Sequence, residues 1–295
     1  ASWVIVDPQQ GPVPLESGTT TATELSGVTW VSGDQYLAVS DTAARLFPLR
    51  IEITPEDGTI RTATFAPAIP LATGTDLEGI VYRPQPPTII VSDEVGPALR
   101  VHQPDTGALL HTIPVLPLFK NIRSNLGFEA LAWDQSRGEL WTTTEEALVV
   151  DGRVAHRLYG SVVRLQLYTQ DTQGLTPGQQ WAYATDPIAA HLIRPASGIA
   201  RSSVTELVVL PDGTLLALER TSGGQALRSR LYLIDRSDAT EVSAIPSLKG
   251  AGFMPVRKTQ LWSREFFVNN FEGAALGPTL SDGSRSLVLI SDNGG

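Results

Sequence analysis

The sequence predicts an all-β protein: a β-propeller of four-stranded antiparallel blades, with five blades expected and six left open. Three observations carry this expectation. A two-strand unit recurs five times, turn residues separate the apolar runs, and helical periodicity is nearly absent along the 295 residues.

Each unit reads as an acidic or polar start, an apolar strand, a turn, a second apolar strand and an acidic end. The first is Glu24-Leu-Ser-Gly-Val-Thr-Trp30 followed by Tyr36-Leu-Ala-Val-Ser-Asp41. The second is Asp76-Leu-Glu-Gly-Ile-Val-Tyr82 with Thr88-Ile-Ile-Val-Ser-Asp-Glu94. The third is Gly127-Phe-Glu-Ala-Leu-Ala-Trp133 with Leu140-Trp-Thr-Thr-Thr-Glu145. The fourth joins Glu206-Leu-Val-Val-Leu210 to Leu215-Leu-Ala-Leu-Glu-Arg220 through Pro211-Asp-Gly213. The fifth is Asn270-Phe-Glu-Gly-Ala-Ala-Leu276 with Ser286-Leu-Val-Leu-Ile-Ser-Asp-Asn293.

Taking Glu24, Glu78, Glu129, Glu206 and Glu272 as equivalent, the spacings are 54, 51, 77 and 66 residues. A propeller blade takes about 40–50 residues, so outer strands fit between the units. Arg45–Ile53, Ile60–Phe65, Val162–Tyr168 and Arg230–Asp235 are the candidates. The 77-residue interval leaves room for a degenerate sixth blade, and Ser2–Val6 could supply a missing outer strand that closes the ring. Residues 1–295 are thus read as one propeller domain.

Composition narrows the function. With 42% hydrophobic and 18% charged residues the chain is globular, not disordered. No run of about 18 apolar residues is present to span a membrane. The net charge of −9, with lysine only at 120, 249 and 258, disfavours nucleic acid. The absence of cysteine removes disulfides, thiolate metal sites and thiol nucleophiles. No signal peptide opens the chain; a secreted or periplasmic location, with the signal removed before Ala1, is the expectation.

The hairpins place the start of each first strand beside the end of its second. In a propeller the first strand lines the channel, so Glu24 with Asp41, Glu78 with Asp93, Glu129 with Glu145, Glu206 with Glu219 and Glu272 with Asp292 should converge on one mouth. About ten carboxylates in one ring repel one another unless a cation, backbone amides or paired Arg and Lys compensate. Oxygen donors without cysteine suit a hard ion such as Ca²⁺. The candidate metal ligands are Glu78, Asp93, Glu129, Glu272 and Asp292; the candidate catalytic groups are Glu78, Glu129 and Glu272. Arg220, Arg230 and Lys258 are candidate contacts to an anionic substrate. A glutamate heading an inner strand can instead cap a neighbouring blade's amides, and Glu206, followed by Leu and not Gly, suits a ligand least.

There is no Gly-x-Ser-x-Gly elbow, Arg-His-Gly motif, Walker loop or dinucleotide fingerprint. The histidines His102, His111, His156 and His191 lie outside the repeat cores. Trp30, Trp133 and Trp141 are expected between blades.

Taken in order, Leu25-Ser-Gly27, Asp76-Leu-Glu-Gly79, Gly127-Phe-Glu-Ala-Leu131, Glu206 through Pro211-Asp-Gly213 to Arg220, and Asn270-Phe-Glu-Gly273 ending at Asn293 resemble the phytase-like propeller family, also described by an esterase-like activity of phytase. The resemblance runs over roughly residues 20 to 293. It implies a mostly bacterial, often exported propeller that hydrolyses phosphoesters or esters. The motifs of the alkaline phytases, which work through a calcium-rich acidic face, are missing here, so their catalytic residues are not carried across. Three functions follow as expectations: a Ca²⁺-dependent hydrolase of a small anionic or ester substrate, a non-catalytic propeller binding a ligand or protein, and a lactonase-type propeller with one channel metal.

Overall fold

The computed structural model describes residues 3–16, 24–124, 126–189, 200–223, 226–266 and 270–292. Its first sheet holds β1 (Leu25–Ser32), β2 (Gln35–Ser40), β3 (Arg45–Ile53) and β4 (Ile60–Phe65) in that order, with β5 (Ile69–Pro70) also paired to β3. The second holds β6 (Leu77–Pro84), β7 (Pro87–Asp93), β8 (Ala98–His102) and β9 (Leu109–Ile113). The third holds β10 (Phe128–Asp134), β11 (Glu139–Thr144), β12 (Val162–Asp171) and β13 (Gly174–Ala184). The fourth holds β14 (Arg201–Val209), β15 (Leu215–Gly223), β16 (Ala226–Asp235) and β17 (Arg257–Phe266). These are four antiparallel propeller blades whose strands pair in chain order. A short 3₁₀ turn, Pro117–Asn121, precedes β10.

The last sheet has two strands, β18 (Asn270–Thr279) and β19 (Arg285–Asp292). β18 packs beside both β14 and β1. Five complete blades were expected, and the described residues contain four. The physical reason is at the edge of β19: no third strand pairs with it among the described residues. Residues 3–7 do not fill that place. Trp3 and Ile5 pack onto the apolar cluster of Val208, Leu216 and Ala274, the Trp3 indole donates to Asp212 at 3.0 Å, and no strand is formed. Among the described residues, the 77-residue interval that left room for a sixth blade holds the 145–161 loop and the β12–β13 hairpin.

Apolar cores fill the spaces between sheets. Val39, Leu46, Leu77 and Ile89 join the first blade to the second, and Ile90, Phe128, Leu140 and Tyr168 join the second to the third. Trp141, Leu165, Trp181 and Ala217 join the third to the fourth. Val208, Leu216 and Ala274 join the fourth to the last sheet, which meets the first blade through Val28, Phe47 and Ile290. This explains runs such as Thr88-Ile-Ile-Val91: a strand buried on both faces needs no polar alternation. Full burial of one such aliphatic side chain contributes about 1.5–3 kcal/mol.

Inner strands approach closely at glycine. A Cβ on Gly27 would lie 2.2 Å from the Glu78 carbonyl oxygen, and one on Gly79 would lie 2.8 Å from the Leu131 nitrogen. Of the expected tryptophans, Trp141 is buried and tilted against Trp181 at 5.5 Å. Trp30 and Trp133 are half-buried, and each donates its indole N–H within its own turn. His191 lies outside the described residues, and His102 is buried with Nδ1 3.0 Å from the Gly107 carbonyl oxygen. No helix is long and apolar enough to cross a membrane among the described residues.

Candidate functional site

The register of the five inner hairpins builds the mouth. Near the start of each inner strand one residue interrupts the ladder: Ser26 on β1, Glu129 on β10, Thr205 on β14 and Glu272 on β18, while on β6 the break covers Glu78 and Gly79. A bulged residue is unpaired and its side chain is re-aimed. Three of the five bulges therefore present a glutamate.

The end of each second strand supplies a further position. Asp41, Glu94 and Glu145 donate their backbone N–H to Glu24, Asp76 and Gly127, while Arg220 pairs with Ser203 and Asp292 with Asn270. Spacing alone had equated Glu206 with the other glutamates, but it stands one residue past the bulge. There it accepts the Leu131 and Leu207 amides, both at 3.0 Å, and is buried. Glu206 is an inter-blade lock.

The mouth gathers Asp76, Glu78, Glu94, Glu129, Glu145 and Glu272. Asp76, Glu78 and Glu94 place carboxylate oxygens within 4.8 Å of one another, and so do Glu94, Glu129 and Glu145. Asp76 and Glu94 were not singled out as ligands from sequence; their signal was the register of the hairpins, one step away from Glu78 and Asp93. Burial, then Glu94 and Glu272, pushes Glu78 well above the usual carboxylate range. Burial, then Glu78 and Glu145, does the same to Glu129. Burial, with Glu145 and Asp76, brings Glu94 up to about 8. Asp76 is raised by burial and by Asp93. These carboxyls crowd one another, which favours their protonated forms. Beside the mouth, burial lifts Glu146 to about 7.

Other expected residues are placed differently. Asp93 is buried but occupied: it accepts the Val95 amide at 3.0 Å and the Thr75 amide at 3.2 Å, and Arg100 donates to it at 2.5 Å. The side chain of Asp292 lies outside the described residues. Arg220 reaches the mouth, donating to Glu145 Oε1 at 3.0 Å, Asn270 Oδ1 at 2.8 Å and Glu272. Arg230 and Lys258 belong to a separate network: Arg230 donates to Asp186 at 2.7 Å, and Lys258 pairs with Asp186 at 2.6 Å and with Glu219. Tyr183 donates to the same Glu219 at 2.5 Å.

Arg201 is a cation the sequence did not flag. It lies two residues before Ser203, so alternation puts both on one face of β14. Both touch Glu145, Arg201 Nη1 at 3.3 Å and Ser203 Oγ at 3.1 Å, and a third of the Arg201 side chain stays exposed.

The 145–161 loop, which follows Glu145, is tied down at several points. Arg123 Nε donates to the Ala147 carbonyl at 3.1 Å. Arg164 and Asp151, both fully buried, pair through two contacts of 2.7 Å, and Arg164 also donates to the Ile245 carbonyl at 2.8 Å.

Among solved structures, the chain is similar to a streptogramin B lyase structure at 11% identity and TM-score 0.41, over 92% of this chain and 91% of that one. It is also similar to the hydrazine synthase of Kuenenia stuttgartiensis at 10% identity and TM-score 0.32, over 95% and 100%. A comparison with curated proteins gives no significant match. The model of the phytase-like family, described as esterase-like activity of phytase, matches residues 20–295, and the chain belongs to that family.

Proposed function

We propose that the acidic mouth hydrolyses an ester or phosphoester bond with the help of a hard divalent cation, of which Ca²⁺ is the first candidate. The observation that carries this reading is the triad of Asp76, Glu78 and Glu94, whose carboxylate oxygens lie within 4.8 Å of one another. The donor set fits such an ion: its ligands are all oxygen, there is no cysteine in the chain, and the carboxylates are held at elevated pKa by burial and then by one another. Asp76, Glu78 and Glu94 would hold the ion. When bound, it would polarise a substrate oxygen and lower the pKa of a water molecule.

This chain's own residues would complete the chemistry. Glu129, with a carboxylate oxygen within 4.8 Å of one on Glu94, is the group we assign to proton transfer at the reacting oxygen. Arg201 is the cation we assign to an anionic part of the substrate, because Arg230 and Lys258 are committed to Asp186 and Glu219. Membership in a family described by esterase-like activity supports hydrolysis as the reaction class.

Hydrolysis of p-nitrophenyl acetate and p-nitrophenyl phosphate, with and without chelator, tests this reading. Chelation and Glu129→Gln should each reduce turnover of at least one substrate by about 100-fold or more. Full turnover after both treatments would sink the proposal. Cation binding without turnover of either ester would leave a binding propeller in its place.

A further inference from the structure

The fourth blade breaks the charge pattern of the mouth. Where the first three blades carry Asp41, Glu94 and Glu145 at the end of the second strand, it carries Arg220. That guanidinium reaches both ways around the ring. One Nη donates to Glu145 of the third blade at 3.0 Å, and the other donates to Glu272 and Asn270 of the last sheet. Its charge is permanent at any working pH. Burial opposes that charge, but Glu272, Glu145 and Glu129 more than restore it.

Elsewhere in the mouth, Asp76, Glu78 and Glu94 have no ion pair with Lys or Arg among the described residues. One side of the ring is thus neutralised from within and the other is not. We infer that Arg220 is a built-in cation, occupying the place of a second exchangeable ion and confining metal binding to the side of the second and third blades. This rests on the cation-binding reading proposed above and adds a role for the chain's own residues. Glu145 has Oε1 bonded to Arg220 and Ser203 and Oε2 bonded to Arg201, so little of it is left for an ion. Glu272, bonded by Arg220 and by Asn270, is likewise withheld.

Calcium titration calorimetry on chelator-stripped protein tests this by counting ions. The wild type should bind one ion and Arg220→Gln two, while Arg220→Lys, which keeps the charge, should bind one. An Arg220→Gln protein with the wild-type stoichiometry and affinity would overturn the inference, as would two ions bound to Arg220→Lys. Should Arg220→Gln fail to fold, Glu272→Gln and Glu94→Gln decide. Glu272→Gln should leave the calcium Kd within about twofold and Glu94→Gln should weaken it about tenfold or more; equal losses would overturn the inference. A wild type that binds no calcium defeats the metal reading alone if Arg220→Gln gains a site, and defeats both if it gains none.

Discussion

Raising the pH of the chelated protein from 5 to 9 should destabilise it, and saturating Ca²⁺ should remove most of that loss. Glu94 is nearly inaccessible, and burial beside Glu145 and Asp76 raises it to about 8 from the usual 4.5. Glu78 and Glu129 are displaced in the same direction. The sign follows from proton counting. Between these limits the folded protein holds a proton that the unfolded chain has released, so stability is fully present below about pH 4.5 and falls as pH rises through 8. One retained proton contributes at most about 1.4 kcal/mol per pH unit. Over about three units the ceiling is near 4 kcal/mol, and sharing of protons between carboxyls lowers it, so about 2–4 kcal/mol is expected. For a chain of this size that corresponds to a fall in Tm of roughly 3–6 °C. Scanning calorimetry in EDTA at half-unit pH steps measures it, and parallel scans in Ca²⁺ should flatten the curve. A Tm that holds or rises between pH 6 and 9 in EDTA would refute the claim that buried, protonated carboxyls line the mouth.

Glu94→Gln removes the titrating group, so at pH 9 in EDTA it should be more stable than wild type by about 1–3 kcal/mol, as read by urea denaturation. Glu206 lies well above the carboxylate range through burial and only accepts backbone amides. Glu206→Gln should therefore cost less than about 1 kcal/mol, and Glu206→Ala about 2–4 kcal/mol, by the same measurement. Asp151→Asn leaves Arg164 charged and buried, for a loss of about 3–5 kcal/mol by thermal melt. Gly79→Ala forces a Cβ against the Leu131 backbone and should cost about 1–3 kcal/mol through separation of the second and third blades, read as a lower Tm.

Much of the architecture is written in local pattern. Turn residues and apolar runs are short-range signals, so β3 and β4 lie where Arg45–Ile53 and Ile60–Phe65 were expected, and the inner hairpins lie close to the repeat units. That acidic residues cluster at one mouth also follows from hairpin geometry, because chain reversal puts the start and end of each unit side by side. Which acids converge does not follow, because a single bulge shifts every later side chain to the opposite face. Spacing aligned Glu206 with Glu78, Glu129 and Glu272, yet its strand bulges at Thr205, and this turns Glu206 into a backbone acceptor. The same one-residue difference puts Glu94 in the mouth cluster while Asp93 binds Arg100 and its own turn.

Charge pairing was equally invisible. Arg220, Arg230 and Lys258 looked alike as cations in sequence, but they are sorted by acidic partners that include residues 39 to 75 positions away. Closure of the last sheet depends on whether a distant segment enters a ladder, which is a matter of backbone hydrogen bonds and not of composition. By itself the sequence determined an acidic, cysteine-free propeller with a polar mouth, since these depend on composition and on contacts within one hairpin. Only the tertiary structure decided which carboxylates crowd together, which are neutralised by Arg220 and which lock the blades, because each depends on register and on side chains brought in from other blades.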